Sequence, residues 1–362
     1  MTQLLEIFGV KRTEKQEVRV EVLPKFESKK VTSEMIEIST KQAKDYEKAM
    51  EYIESVADCT GRIKEVRRIA SNRLTNWTVQ FADDEKYVHV VDTITGYKYG
   101  TFSLGNKKLC KNEKIQFILF NLLQVVTCPN ATEGCLKFCY ANKSNNNIKV
   151  KNSASRISRT KNTVLSMYAN FEEIVTEVIK LVESSTNKST VFRWHESGDI
   201  YSKEYFEKMI NIMSKNSSVQ FMFYTKTIFT LSKINEINNM KNVSMRYSLD
   251  DTSSAKIVQR VHEENILNTI VIQEQELSQV VKEFDNSMVC NFNGTQQERD
   301  SIVATIEEKQ QELAKEHRKT YQRKIQTDIN GLQKSLLNKN QKCHSCMKCH
   351  NKQRNTIMFG AH

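Results

Sequence analysis

Cys128, Cys135 and Cys139 lie in "CPNATEGCLKFCY", three of the chain's nine cysteines at Cys-x6-Cys-x3-Cys spacing. Thiols this dense suit a disulfide, a zinc ion or an iron–sulfur cluster. A second group, "CHSCMKC", sets Cys343, Cys346 and Cys349 at Cys-x2-Cys-x2-Cys spacing. That triplet is the run that ligates [4Fe-4S] clusters in ferredoxins, where a fourth cysteine arrives from elsewhere, and Cys290 is the natural fourth. Zinc competes for this group, because His344 and His350 are adjacent and both thiolate and imidazole suit it. Cys59 and Cys110 stand alone in segments that read as strand or helix filling. The first group is left with three protein ligands. One iron of a [4Fe-4S] cluster would then stay open to substrate or cofactor, as one position does in catalytic metal sites.

The compartment bears on this choice. No stretch approaches the roughly 20 apolar residues of a membrane span, and the N-terminus lacks a secretory pattern. The chain is therefore expected in the cytoplasm, where thiols stay reduced and an odd cysteine count argues for metal rather than disulfides. The formal net charge of +11 suits a polyanionic partner such as DNA or RNA. A lysine-rich, proline-poor composition of the kind AT-rich genomes produce explains the same number without any partner.

The remaining polar candidates sit in "RWHESGD", which holds Arg193, His195, Glu196, Ser197 and Asp199, with Lys226 in "YTKT" and Ser248 and Asp250 in "SLD". Strand alternation would turn Arg193, His195 and Ser197 to one face, and Trp194 and Glu196 to the other. His195 and Asp199 could form an acid/base pair or ligate a metal. The plainer reading is a buried Arg-His-Asp network that braces the strand end, and Lys226 and Asp250 could simply pair with each other.

These residues need elements to position them. Residues 1–35 read as a loose basic arm. Ala43, Tyr46, Ala49, Met50 and Ile53 then recur at helical spacing, and "NWTVQFADDEKYVHVVDTITGYKYGTFSLG" alternates like a strand meander, so 36–105 forms a small α+β appendage. Over 106–293, β-rich runs recur at 114–123, 189–199, 219–227, 243–250, 268–274 and 287–293, with amphipathic segments between them. That rhythm predicts an α/β fold, a partial (βα)6 TIM-like barrel, with an open doubly wound sheet as the alternative. Its chemistry would sit at the carboxyl ends of the strands, where Cys128, His195, Lys226, Asp250 and Cys290 fall. Residues 294–341 read as a helical hairpin or coiled-coil insert: a homodimer arm through 297–338, a basic clamp on nucleic acid, or a solvated insert packed on its own barrel. Residues 342–362 carry the last cysteine cluster.

A three-cysteine site after the first strand of a (βα)6 barrel is the layout of radical S-adenosylmethionine enzymes. The segments "GNKKLCKNEKIQFILFNLLQVVTCPNATEGCLKFCYANK", "FRWHESGDIYSKEYFEKM", "FMFYTKT", "MRYSLDD" and "TIMFGAH" together resemble the phage and plasmid gene product 88 family. The resemblance implies an iron–sulfur, radical-S-adenosylmethionine-like barrel carried by mobile elements. Radical enzymes use Cys-x3-Cys-x2-Cys with an aromatic before the last cysteine; Phe138 stands in that place and the gaps here are wider. On this likeness Arg193, Glu196, Ser197 and Ser248 would hold the amino and carboxylate groups of a methionine moiety, with Glu196 accepting from the ammonium.

Three functions follow as expectations: an enzyme that cleaves S-adenosylmethionine and acts on nucleic acid; an iron–sulfur or zinc protein that binds DNA in mobile-element replication or regulation; or a metal-dependent nuclease using His195, Glu196 and Asp199. No Walker loop, dinucleotide glycine fingerprint or nucleophile elbow occurs, which leaves NTPase, dehydrogenase and serine-hydrolase readings without support.

Overall fold

A computed structural model of the protein describes residues 31–54, 73–105, 114–139, 141, 154–272, 296–316, 319–336 and 356–360. Helix α1 (Ser33–Glu54) buries Tyr46, Ala49 and Ile53, spaced three and four apart, along one stripe. Strands β1 (Trp77–Phe81), β2 (Tyr87–Asp92) and β3 (Lys98–Ser103) follow as an antiparallel meander. The first turn closes where the Asp84 carboxylate accepts the Lys86 N–H at 3.1 Å and Glu85 takes a positive φ of 53°. Strand β4 (Ile115–Phe120) then pairs antiparallel with β3 through Ser103 and Leu119.

Helix α2 (Glu133–Phe138) carries Cys135, and α3 (Ala154–Met167) and α4 (Phe171–Ser185) complete the crossover to β5 (Ser189–Trp194). Next come α5 (Lys203–Lys215), β6 (Gln220–Thr225), a 3-10 turn (Ile228–Ser232), α6 (Ile234–Asn238) and β7 (Val243–Leu249). Helix α7 (Ala255–Glu263) leads to β8 (Asn268–Ile272). Helices α8 (Gln296–Lys315) and α9 (Lys319–Leu336) precede the closing strand β9 (Thr356–Gly360).

The chain divides into two compact units. The first comprises Met1–Asn106, Glu113–Ala131 and Ala141–Met245; the second comprises Lys107–Asn112, Thr132–Tyr140 and Arg246–His362. In the first, β4 runs parallel to β5 over six residue pairs, from Ile115↔Ser189 to Phe120↔Trp194, and β5 runs parallel to β6. Its core is an aromatic cluster of Phe102, Phe120, Phe171, Phe192, Trp194 and Phe221, with the Phe192 and Trp194 rings 4.4 Å apart. Such rings supply large buried apolar area plus edge and face contacts. In the second unit, β7 runs parallel to β8 and β8 to β9. There α8 and α9 bury Ile306, Ile325 and Ile329, and Lys309 pairs with Asp328 at 3.2 Å.

The fold is thus mixed α/β, and strand order follows chain order. The described strands do not close into a barrel. A physical reason lies in β4: one edge pairs with β5, and the other, which a closing strand would need, is engaged by β3. The meander therefore extends the same sheet. The run expected as a strand at 287–293 lies outside the described residues, and β9, in "TIMFG", takes the place beside β8. No described helix is long and apolar enough to cross a membrane.

Candidate functional site at the strand ends

β5 ends at Trp194, and His195 turns the chain out of the strand with a φ of 52°. A left-handed backbone costs a non-glycine residue about 1–2 kcal/mol and persists only when its surroundings hold it. They do so here. The His195 N–H donates to Phe120 O at 3.0 Å, and its ring Nε2 shares a 2.8 Å hydrogen bond with Tyr205 Oη on α5. The side chain is 5% exposed, and its Nδ1 has no partner in the structure. Burial pushes its pKa down to about 3, so the ring is neutral near pH 7. A neutral imidazole with so low a pKa serves as a hydrogen-bonding group rather than a general base.

The turn at His195 also ends the alternation expected along this segment. Arg193 and Glu196, assigned to opposite faces, form an ion pair at 3.2 Å, with the Arg193 guanidinium 5.9 Å from the centre of the Tyr224 ring. The physical reason is the left-handed residue between them, which breaks the period-two geometry of a strand.

Beyond it, the segment is pinned to the loop that follows β4. Glu196 N–H donates to Asn121 Oδ1 at 2.7 Å, Ser197 Oγ to Leu122 O at 2.8 Å, and Leu122 N–H to Ser197 O at 2.9 Å. Gly198 has a φ of 82°, and a Cβ there would lie 2.5 Å from Thr127 Oγ1 and 2.6 Å from Leu122 Cβ. Only glycine fits.

Asp199 is the buried joint between strand ends. Its Oδ1 accepts from Thr225 Oγ1 at 2.6 Å and from Ile200 N–H at 2.7 Å, and its Oδ2 accepts from Lys226 N–H at 2.8 Å. Burial raises its pKa, and these donors oppose the rise. The expected His195–Asp199 pair is not formed: His195 bonds Tyr205, and the Asp199 oxygens are engaged by the β6 end and by Ile200. For Asp199 the bracing role is the one realised.

Cys128 sits in this same loop. Its N–H donates to Val125 O at 3.1 Å, and Val125 has a φ of 69°, a rare conformation for a β-branched residue. Asn130 Oδ1 accepts the Ile228 N–H at 3.0 Å, which ties the loop to the segment after β6. Cys128 thus lies at the carboxyl ends of β4, β5 and β6, where parallel α/β sheets bind ligands.

Cys135 and Cys139 belong to the second unit, and all three thiols are half-buried and outside any disulfide. Thr132 caps α2: its Oγ1 accepts the Cys135 N–H at 3.2 Å and donates to Asp250 Oδ2 at 2.5 Å. Thr252 Oγ1 accepts the Gly134 N–H at 2.8 Å and donates to Asp250 Oδ1 at 2.8 Å. Ser248 lies in β7 in register with Thr269 of β8. Among the described residues, no three His, Cys, Asp or Glu side chains are gathered into a set that could hold a metal ion.

A family model for gene product 88 matches residues 100–352 of this chain. The chain belongs to the Gene product 88 family. Every candidate residue from Cys128 to Cys349 falls inside the matched stretch, whereas α1, β1 and β2 precede it. The chain is similar to the Gene 88 protein of Mycobacterium phage D29, at 29% identity over 133 residues, which is 35% of this chain and 53% of the phage protein. It therefore spans about half the length of that relative. No solved structure matches the chain.

Of the sequence-predicted residues in this Gene product 88 chain, Arg193 and Glu196 meet each other, Ser197 and Asp199 brace loops, Lys226 lends its backbone N–H to Asp199, and Asp250 meets Thr132 and Thr252. Cys290, Cys343, Cys346 and Cys349 lie outside the described residues, as do Cys59, Cys110, His344 and His350. Tyr205, Thr127, Asn121 and Gly198 were not singled out by sequence. Gly198, next to Asp199, carried a turn signal that could have been used. Tyr205 carried none, since its contact with His195 crosses from α5 to the strand end.

Proposed function

We propose that this protein holds an iron–sulfur cluster on Cys128, Cys135 and Cys139, with one position open to S-adenosylmethionine, and acts on nucleic acid. The observation that carries the reading is the location of Cys128, at the carboxyl ends of three adjacent parallel strands in a loop tied to the ends of β5 and β6. In residue type the donors suit such a group: three thiols within one short stretch, none in a disulfide. The chain-order succession of β4 to β9 also supports the finer architecture, a partial (βα)6 barrel of the radical-S-adenosylmethionine type left open at its edge.

When bound, the cluster supplies an electron to the ligand at its open position. The chain's own residues do the rest. Arg193 and Glu196 present opposite charges 3.2 Å apart, side chains roughly four-fifths buried, a pairing that complements the carboxylate and ammonium of a methionine moiety. In this reading Ser197 and Ser248 would add polar contacts to the methionine moiety, and Lys226, after β6, and Asp250, after β7, are the further candidates. His195, neutral, offers a hydrogen bond and no charge. Cys290, Cys343, Cys346 and Cys349 would hold a second cluster, with zinc as the competing occupant.

The net charge of +11 favours a nucleic-acid substrate or partner, and it equally supports a DNA-binding role with structural clusters. A nuclease using His195, Glu196 and Asp199 has less support, because both Asp199 oxygens are already accepting hydrogen bonds within the fold. The test is anaerobic reconstitution, reduction and addition of S-adenosylmethionine. Release of 5'-deoxyadenosine supports the enzyme; its absence from a fully loaded, reduced protein removes it.

A further inference from the structure

Both oxygens of Asp250 reach the cysteine helix through a threonine hydroxyl. Asp250 Oδ2 accepts from Thr132 Oγ1 at 2.5 Å, and that hydroxyl accepts the Cys135 N–H at 3.2 Å. Asp250 Oδ1 accepts from Thr252 Oγ1 at 2.8 Å, and that hydroxyl accepts the Gly134 N–H at 2.8 Å. Two consecutive backbone donors in the first turn of α2, which the helix itself leaves unsatisfied, are thus both linked to one carboxylate in the turn after β7. The turn holds its own shape, with Thr252 N–H donating to Asp250 Oδ1 at 3.0 Å and Asp250 N–H donating to Ser253 Oγ at 2.9 Å.

The contact is also close sterically. A Cβ on Gly134 would stand 2.9 Å from Thr252 Oγ1, 3.1 Å from Asp251 Oδ1 and 3.3 Å from Asp250 Cγ. The residue before Cys135 therefore has no side chain because the turn occupies that space. A short helix of six residues cannot fix itself in place by its own hydrogen bonds.

We infer that the Asp250–Thr252 turn is a latch that sets the position of α2, and that Asp250 is a positioning residue for the Cys135 thiolate rather than a group that touches substrate. This rests on the iron–sulfur reading above. The carboxylate acts on the backbone of the helix, through hydroxyls, and not on the sulfur itself. Replacing Asp250 by alanine would release both hydroxyls at once and loosen the helix that carries Cys135.

The experiment compares reconstituted wild-type protein with Asp250→Asn, Asp250→Ala, Thr132→Val and Thr132→Ser, reading iron and sulfide per chain, the visible absorption of the cluster, and its rate of bleaching in air. Wild type without iron or sulfide would remove the underlying reading, independently of the latch. With a loaded wild type, Asp250→Ala and Thr132→Val should bleach faster by on the order of tenfold, the scale of one charge-assisted hydrogen bond. Thr132→Ser, which keeps the hydroxyl, should restore wild-type behaviour. The Asp250→Ala/Thr132→Val double variant should lose less than the sum of the two single losses, because the Asp250–Thr132 hydrogen bond is cut by both changes. Circular dichroism of the metal-free variants separates a folding defect from loss of the latch, and Asp250→Asn, nearly isosteric, retains the fold while weakening both links. Wild-type iron content and bleaching in a folded Asp250→Ala protein would overturn the inference.

Discussion

His195 Nε2 and Tyr205 Oη stand 2.8 Å apart, a buried hydrogen bond between the first residue after β5 and the helix that follows it. Tyr205 in turn stacks on Tyr201, ring centres 4.7 Å apart, and burial holds its hydroxyl protonated. The imidazole is neutral because it is buried, and that has a measurable consequence.

The His195 pKa is lowered in the folded protein to about 3, against an ordinary value of 6.5. Below pH 6.5 the unfolded chain takes up a proton that the folded chain refuses. The stability this histidine contributes is therefore complete above that pH and is lost progressively as pH falls toward 3. Asp199, with its pKa raised, acts in the opposite sense at the acid end. His195→Asn, a residue that tolerates the left-handed backbone, should flatten the fall in melting temperature between pH 7 and 4. Parallel pH profiles for the two proteins would contradict this.

Asp199→Ala would leave Thr225 Oγ1 and the N–H groups of Ile200 and Lys226 without their acceptor. Buried donors left unsatisfied cost about 1–3 kcal/mol each, so a loss on the order of 3 kcal/mol is expected in urea unfolding. Asp199→Asn, which keeps one acceptor oxygen, should lose less. An alanine variant as stable as wild type would show that the strand ends are held by other contacts.

Two glycines with positive φ give a controlled comparison. At Gly198 a methyl group meets Thr127 Oγ1 at 2.5 Å and Leu122 Cβ at 2.6 Å, whereas at Gly96 nothing lies within 4 Å. Gly96→Ala should cost only the backbone term of about 1–2 kcal/mol. Gly198→Ala adds a collision inside the packed loop and should be markedly worse, seen as a larger drop in melting temperature. Equal effects at the two positions would refute the tight packing of the Gly198 turn.

If nucleic acid is the partner, the net charge of +11 should appear in the salt dependence of binding. Affinity for duplex or single-stranded DNA measured by fluorescence anisotropy is expected to fall steeply from about 50 to 200 mM salt. A flat profile would point to a partner recognised without its phosphates.

The parallel strands were legible because Val, Ile and Phe recur in short runs: "KIQFILFNLL", "STVFRW" and "VQFMFYT" hold β4, β5 and β6. Their pairing partners were harder to read. Nothing in "YGTFSLG" announces that β3 continues the sheet on the outer edge of β4, since edge choice is a tertiary matter. The residues of "RWHESGD" were visible as a cluster, but their faces were misassigned once His195 left the strand geometry. Asp250 was read as a partner for Lys226 or a ligand contact; its links to Thr132 and Thr252, the first 118 residues away, belong to the fold and not to local sequence.

The proposed iron–sulfur cluster on Cys128, Cys135 and Cys139 is tested most directly by purifying the full chain anaerobically and measuring iron, acid-labile sulfide and zinc per chain, beside a variant with these three cysteines changed to alanine. The expected result is iron and sulfide in near-equal amounts in the wild type, with about four of each lost in the variant. Zinc in place of iron, or iron and sulfide unchanged by the triple substitution, would contradict the account.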